Sequence, residues 1–167
     1  MTIKQNYLKV GLVLTSLTLL PVVHAAMAGD QVSYKGKEVG IITAVSFQFP
    51  FSVKSQTAEG EATHVGHYTL VGDFAVDVRF GTATGVATLT AANGDMLFLT
   101  VQGHVLATDP TKTIANFTVT GGTGRFEGAT GSFGANIQHA SAVGGAAPDP
   151  YVAEIEGTIS TPGANKK

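Results

Sequence analysis

Two histidines and a tyrosine are the side chains of this sequence best suited to chemistry on a small molecule. In segment 62–72, strand-like alternation puts His64 and Tyr68 on one side with Ala62, Gly66 and Leu70. Thr63, Val65, His67, Thr69 and Val71 fall on the other side, and Gly66 makes room between His64 and Tyr68. In segment 132–139 the apolar set Phe133, Ala135 and Ile137 carries His139 with it. An imidazole or phenol so placed can donate a hydrogen bond to a carbonyl or epoxide oxygen, or pass a proton. The competing reading is structural, because a buried His or Tyr usually just satisfies its polar end within the fold. His104, Asp77 and Arg79 face outward by the same alternation.

Other chemistries find less support. His64 and His67 are three residues apart, which on a strand sends them to opposite faces, and the chain has no cysteine, so no metal site is expected. No Gly-Lys-Ser/Thr ending follows the glycine-rich segment near residue 124, and that segment precedes a strand rather than a helix, which argues against a nucleotide cofactor. Ser33, Ser46, Ser52 and Ser55 lie outside any G-x-S-x-G elbow, so no Ser-His-Asp set follows from spacing. Glu59 and Glu61 flank Gly60 and read as a solvated turn. The sequon Asn116-Phe117-Thr118 falls inside an expected strand and is discounted.

The elements that must position these residues are strands. Twenty-one glycines, abundant Thr and Val, and no helical spacing after residue 28 indicate an all-β domain. Eight strands are expected, at 39–49, 62–72, 74–80, 85–92, 95–106, 114–120, 132–139 and 152–160. Asn93-Gly94 between the fourth and fifth suits a two-residue type I′ hairpin turn. Residues 141–150, with Gly144-Gly145 and two prolines, read as a loose connection, and 161–167 as a frayed tail.

At the amino terminus Lys4 and Lys9 precede an apolar run over residues 10–20, then Pro21 and small-residue patterns ending at Ala25 and Ala28. This order reads as a secretory signal occupying 1–28, cleaved after Ala25 or Ala28, with export to the periplasm or the extracellular space. The run is too short for a comfortable membrane span. About 140 residues remain, enough for one domain, 29–160. Loss of the two lysines takes the net charge from −2 to −4. No basic stripe is left for nucleic acid. With no disulfide to hold it, the fold must rest on burial and on its hydrogen-bond ladder.

Residues 120–131, TGGTGRFEGATG, hold five glycines, Gly121, Gly122, Gly124, Gly128 and Gly131. They permit positive φ and close backbone approach in a tight connection between strands. Phe126 is placed as a plug of the barrel end, with Arg125 and Glu127 in water. Spacing alone leaves a β-sandwich and a closed barrel nearly even, closure having the merit of removing exposed edges.

The stretch FTVTGGTGRFEGATGSF resembles the F-x-V-x-G-G-T-G-x-F-x-x-A-x-G segment of plant dirigent proteins and the GG-[ST]-G-x-[FY]-x-G segment of allene oxide cyclases, matching from Phe117 through Gly131. The resemblance implies an eight-stranded antiparallel calycin-like barrel whose lumen takes a small apolar molecule, with no cofactor. It carries no catalytic residue, because the motif is a strand connection. Surplus apolar residues on the outer faces near 41–45 and 96–99 point to a homodimer or homotrimer. Two functions are carried forward. The first is a secreted non-catalytic barrel, binding a small apolar ligand. The second is an isomerase or stereochemical guide similar to allene oxide cyclases and dirigent proteins.

Overall fold

A computed structural model describes residues 30–142 and 148–162. Eight antiparallel strands follow one another around a closed barrel: β1 (Val32–Gln48), β2 (Phe51–Ala62), β3 (Gly66–Asp77), β4 (Thr82–Ala91), β5 (Met96–Leu106), β6 (Asp109–Gly122), β7 (Gly131–His139) and β8 (Asp149–Ile159). β1 pairs with β8 from Val32↔Ile159 to Ile42↔Asp149, which closes the cylinder. The expected signal segment at 1–28 lies outside the described residues, as does most of the tail. Among the described residues no helix is long and apolar enough to cross a membrane.

The count of eight strands holds, but β1 and β6 begin well before their expected starts at 39 and 114, and two strands are divided differently. Segments 62–72 and 74–80 are largely one strand, β3, and the missing member is β2. β2 escapes the sequence pattern because its inward residues, among them Ser52, Gln56, Ala58 and Ala62, are small or polar, so no apolar alternation shows. The Glu59-Gly60-Glu61 turn is therefore a stretch of β2, with both glutamates exposed. The β4–β5 connection differs too. Ala91 and Asp95 are joined by a backbone bond of 2.9 Å across three residues, and Gly94 alone has positive φ. This is a type I turn ending in a bulge glycine rather than a type I′ pair.

The two barrel ends are built differently. At one end the connection after β6 folds inward as a single 3-10 turn, Gly124–Phe126, and seats Phe126 with no exposed surface. Above it Phe117 and Phe133 stack at 5.0 Å, with Tyr34 tilted against Phe133 at 4.7 Å. Arg125 is only half in water. It lies over the Phe126 ring at 4.7 Å, donates to the Val65 carbonyl at 2.8 Å and approaches Asp95, so it ties two neighbouring turns to the plug. At the other end β1 loses its β8 partner beyond Ile42, bulges between Ala44 and Ser46, and runs on as a hairpin with β2 whose Val45, Phe47, Phe49 and Phe51 are exposed.

Gly121, Gly124, Gly128 and Gly131 all have positive φ. A side chain at Gly131 would strike the Thr158 carbonyl, and one at Gly124 the Asp95 carboxylate. Gly131→Val and Gly124→Val should each cost about 1–3 kcal/mol of stability, against about 1 kcal/mol for Arg125→Ala. Denaturant unfolding of the three variants checks this, and equal losses would contradict it.

Candidate functional site

The inner surface carries two polar groups separated by Gln56. The deeper one is centred on Glu38 of β1, which is 4% exposed. Register explains how its partners reach it. Glu38 pairs with Gly60, and Gly60 pairs with Tyr68, so the Tyr68 ring lies across the bare glycine and its hydroxyl donates to Glu38 Oε2 at 3.0 Å. On the other side Tyr151 pairs with Gly40, lies across it in the same way, and donates to Glu38 Oε1 at 2.8 Å. Any side chain at Gly40 or Gly60 would collide with those rings. The Gln56 amide donates to the Tyr151 hydroxyl and to Glu38 Oε1.

No cation is paired with Glu38 among the described residues. Burial pushes its carboxyl above the ordinary value, opposed by the hydrogen bonds from Tyr151 and Tyr68. Desolvation, reinforced by the charge of Glu38, likewise raises Tyr68 and Tyr151, which stay protonated donors.

The second group lies toward the open end, around a cavity of about 70 Å³. Its walls are apolar, with Phe74, Val101, Phe117 and Ile137, and its polar groups are Lys54, Gln56, Thr113, His139 and Asp149. His139, 3% exposed, bonds Asp149 Oδ2 through Nδ1 at 2.8 Å and Thr113 Oγ1 through Nε2 at 3.0 Å. The Tyr151 ring sits 6.2 Å from the imidazole, so the two groups adjoin. Outside the cavity, and sharing Lys54, Val76 and Val105 with it, is a rim groove of about 240 Å³ bounded by Phe47 and Val78.

Of the three residues expected in the lumen, Tyr68 and His139 point inward, but to different groups. His64 does not join them. It sits exposed in the turn between β2 and β3 with φ of 65°, because the chain reverses at 63–65 and the alternation of β3 begins only at Gly66. Glu38, Gln56, Lys54, Thr113 and Asp149 were not singled out from the sequence. Glu38 and Gln56 lie in segments where glycines or small residues mask the inward face, and Asp149 in a stretch read as loop. His104 and Arg79 are exposed, as expected from alternation. Among the described residues no three His, Asp or Glu side chains converge on a metal position.

No protein-family model and no curated protein sequence matches the chain. A solved structure does: the pterocarpan synthase dirigent protein superposes with a TM-score of 0.59 at 15% identity, over 86% of this chain and 96% of that one. The barrel has the dirigent-protein fold. The resemblance carried by Phe117–Gly131 therefore extends to the architecture, and the open sandwich is ruled out by the β1–β8 pairing. At this identity the likeness concerns the fold; the chemistry must come from the side chains above.

A carboxyl whose folded-state pKa is raised favours folding fully below its unfolded value, near 4.5, and loses that contribution as pH rises through the raised value. Glu38→Gln removes the titration while keeping the side-chain shape. The melting temperature of the wild type relative to Glu38→Gln should fall as pH is raised from 4 toward 8; parallel curves would contradict this account of Glu38.

Proposed function

We propose that the mature chain is an exported barrel that binds a small, largely apolar molecule at the open end of its lumen. The observation that carries this reading is the open apolar cavity with convergent polar groups, the arrangement expected of a small-molecule site. Phe74, Val101, Phe117 and Ile137 supply the apolar contact, while Lys54, Gln56 and Thr113 fix orientation. The cavity takes only a small group, so the remainder of a ligand rests in the rim groove. Export is supported by the charge, apolar run and A-x-A order of residues 1–28.

The partner proposed for the outer wall is a second copy of the chain, in a homodimer or homotrimer. Val39, Ile41, Val71, Val86, Phe98 and Val152 are exposed on the outer faces of β1, β3, β4, β5 and β8, whereas Asn116, Thr118 and Asn136 occupy the outer faces of β6 and β7. The exposed apolar residues thus leave out the β6–β7 wall and gather on the rest of the barrel, the uneven distribution an interface requires.

An environment-sensitive apolar dye should bind the mature protein saturably and with raised fluorescence. Ala83→Leu, which fills the cavity wall, should weaken binding at least tenfold with the melting temperature little changed. Unchanged dye affinity in a folded Ala83→Leu protein would refute the lumen site. Sedimentation of the same sample as a monomer would refute the interface.

A further inference from the structure

Thr113, His139 and Asp149 come from three consecutive strands, β6, β7 and β8, and meet only because the barrel sets those strands side by side. In the tautomer whose Nδ1–H donates to the Asp149 carboxylate, Nε2 accepts the Thr113 hydroxyl proton. Asp149 Oδ1 is buried and has no hydrogen-bond partner among the described residues, so His139 is its one strong contact there. Hydroxyl, imidazole and carboxylate are thus connected as nucleophile, base and orienting acid are in acyl-transfer enzymes.

Two further features point to a substrate. Lys54 is the one Lys or Arg among the side chains lining the cavity, and it has no acidic partner among the described residues. The cavity of about 70 Å³ shares the walls Lys54, Val76 and Val105 with the groove of about 240 Å³ along Phe47 and Val78. A small acyl group fits the first space, and a larger apolar alcohol portion fits the second.

We propose that this end of the lumen is an ester-hydrolysing site for short-chain acyl esters of apolar alcohols, with Thr113 as nucleophile, His139 as general base and Asp149 as its positioning residue. The proposal rests on the ligand site above and adds a reaction to it. Thr113 Oγ1 attacks the ester carbonyl carbon as its proton passes to His139 Nε2, and the carbonyl π pair becomes an oxyanion within the cavity that Lys54 also lines. Collapse of that intermediate breaks the bond to the alcohol oxygen, which leaves with the proton from His139. Thr113 is now acylated. Water then gives a proton to His139 and attacks the acyl carbon, and Thr113 Oγ1 departs and recovers the proton as the carboxylic acid is released.

The test uses the mature full-length chain with p-nitrophenyl butyrate as substrate and an alkyl fluorophosphonate as covalent probe. Wild type should release p-nitrophenol, Thr113→Val and His139→Gln should each lose activity about 100-fold or more, and Thr113→Ser should retain it. Mass spectrometry should place the phosphonyl adduct on Thr113. Hydrolysis by Thr113→Val within twofold of wild type, or an adduct mapped elsewhere, overturns the proposal. So does a wild type no faster than folded Thr113→Val. The dye titration run on the same variants separates the two claims: intact dye binding without Thr113-dependent hydrolysis sinks the reaction and leaves the binding site standing.

Discussion

The antiparallel pairing of β1 with β8, from Val32↔Ile159 to Ile42↔Asp149, is the interaction on which the rest of the barrel depends. A chain with no cysteine has no covalent means of holding its first and last strands together, so the ladder itself must do it. Closure removes the two edges that an open sheet would present to other chains. It also creates the inside. Glu38 on β1 meets Tyr151 on β8 across this seam, and Asp149 reaches His139 because β8 lies between β1 and β7.

Within the cylinder, residue size decides where space remains. Phe126, Phe117, Phe133 and Tyr34 fill one end. Toward the other, Ala83 on β4, Gly103 on β5 and Ala115 on β6 leave a cavity that large side chains would have closed. Between the two stands a buried acid held by a pair of tyrosines, each laid over a glycine of the neighbouring strand. That layer is costly in desolvation and is compensated by its hydrogen bonds, which explains why every polar atom of Glu38 has a partner.

The parts of the fold that could be read from the sequence were those in which local chemistry speaks for itself. Alternation revealed most of β4 to β8, and the glycines of 120–131 revealed a tight connection whose motif pointed to this architecture. β2 stayed hidden because a strand facing a crowded lumen carries Ser, Gln, Ala and Gly on its inner face and loses the apolar period. Tyr68 and His139 could be assigned to the interior because each shares a face with Leu70 or with Phe133 and Ile137. Glu38 could not, since nothing nearby in sequence announces that Tyr68 and Tyr151, 30 and 113 residues away, will satisfy it. The Thr113–His139–Asp149 contact is likewise a product of strand order and register, and only His139 falls within a strand that alternation makes visible.

Amide hydrogen exchange on the mature protein tests closure most directly. With the seam paired, residues 32–42 and 149–159 should exchange as slowly as the interior strand β5, which has a neighbour on each side. Rapid exchange confined to those two segments, with the remaining strands protected, would show an open sheet and contradict the barrel together with the sites built inside it.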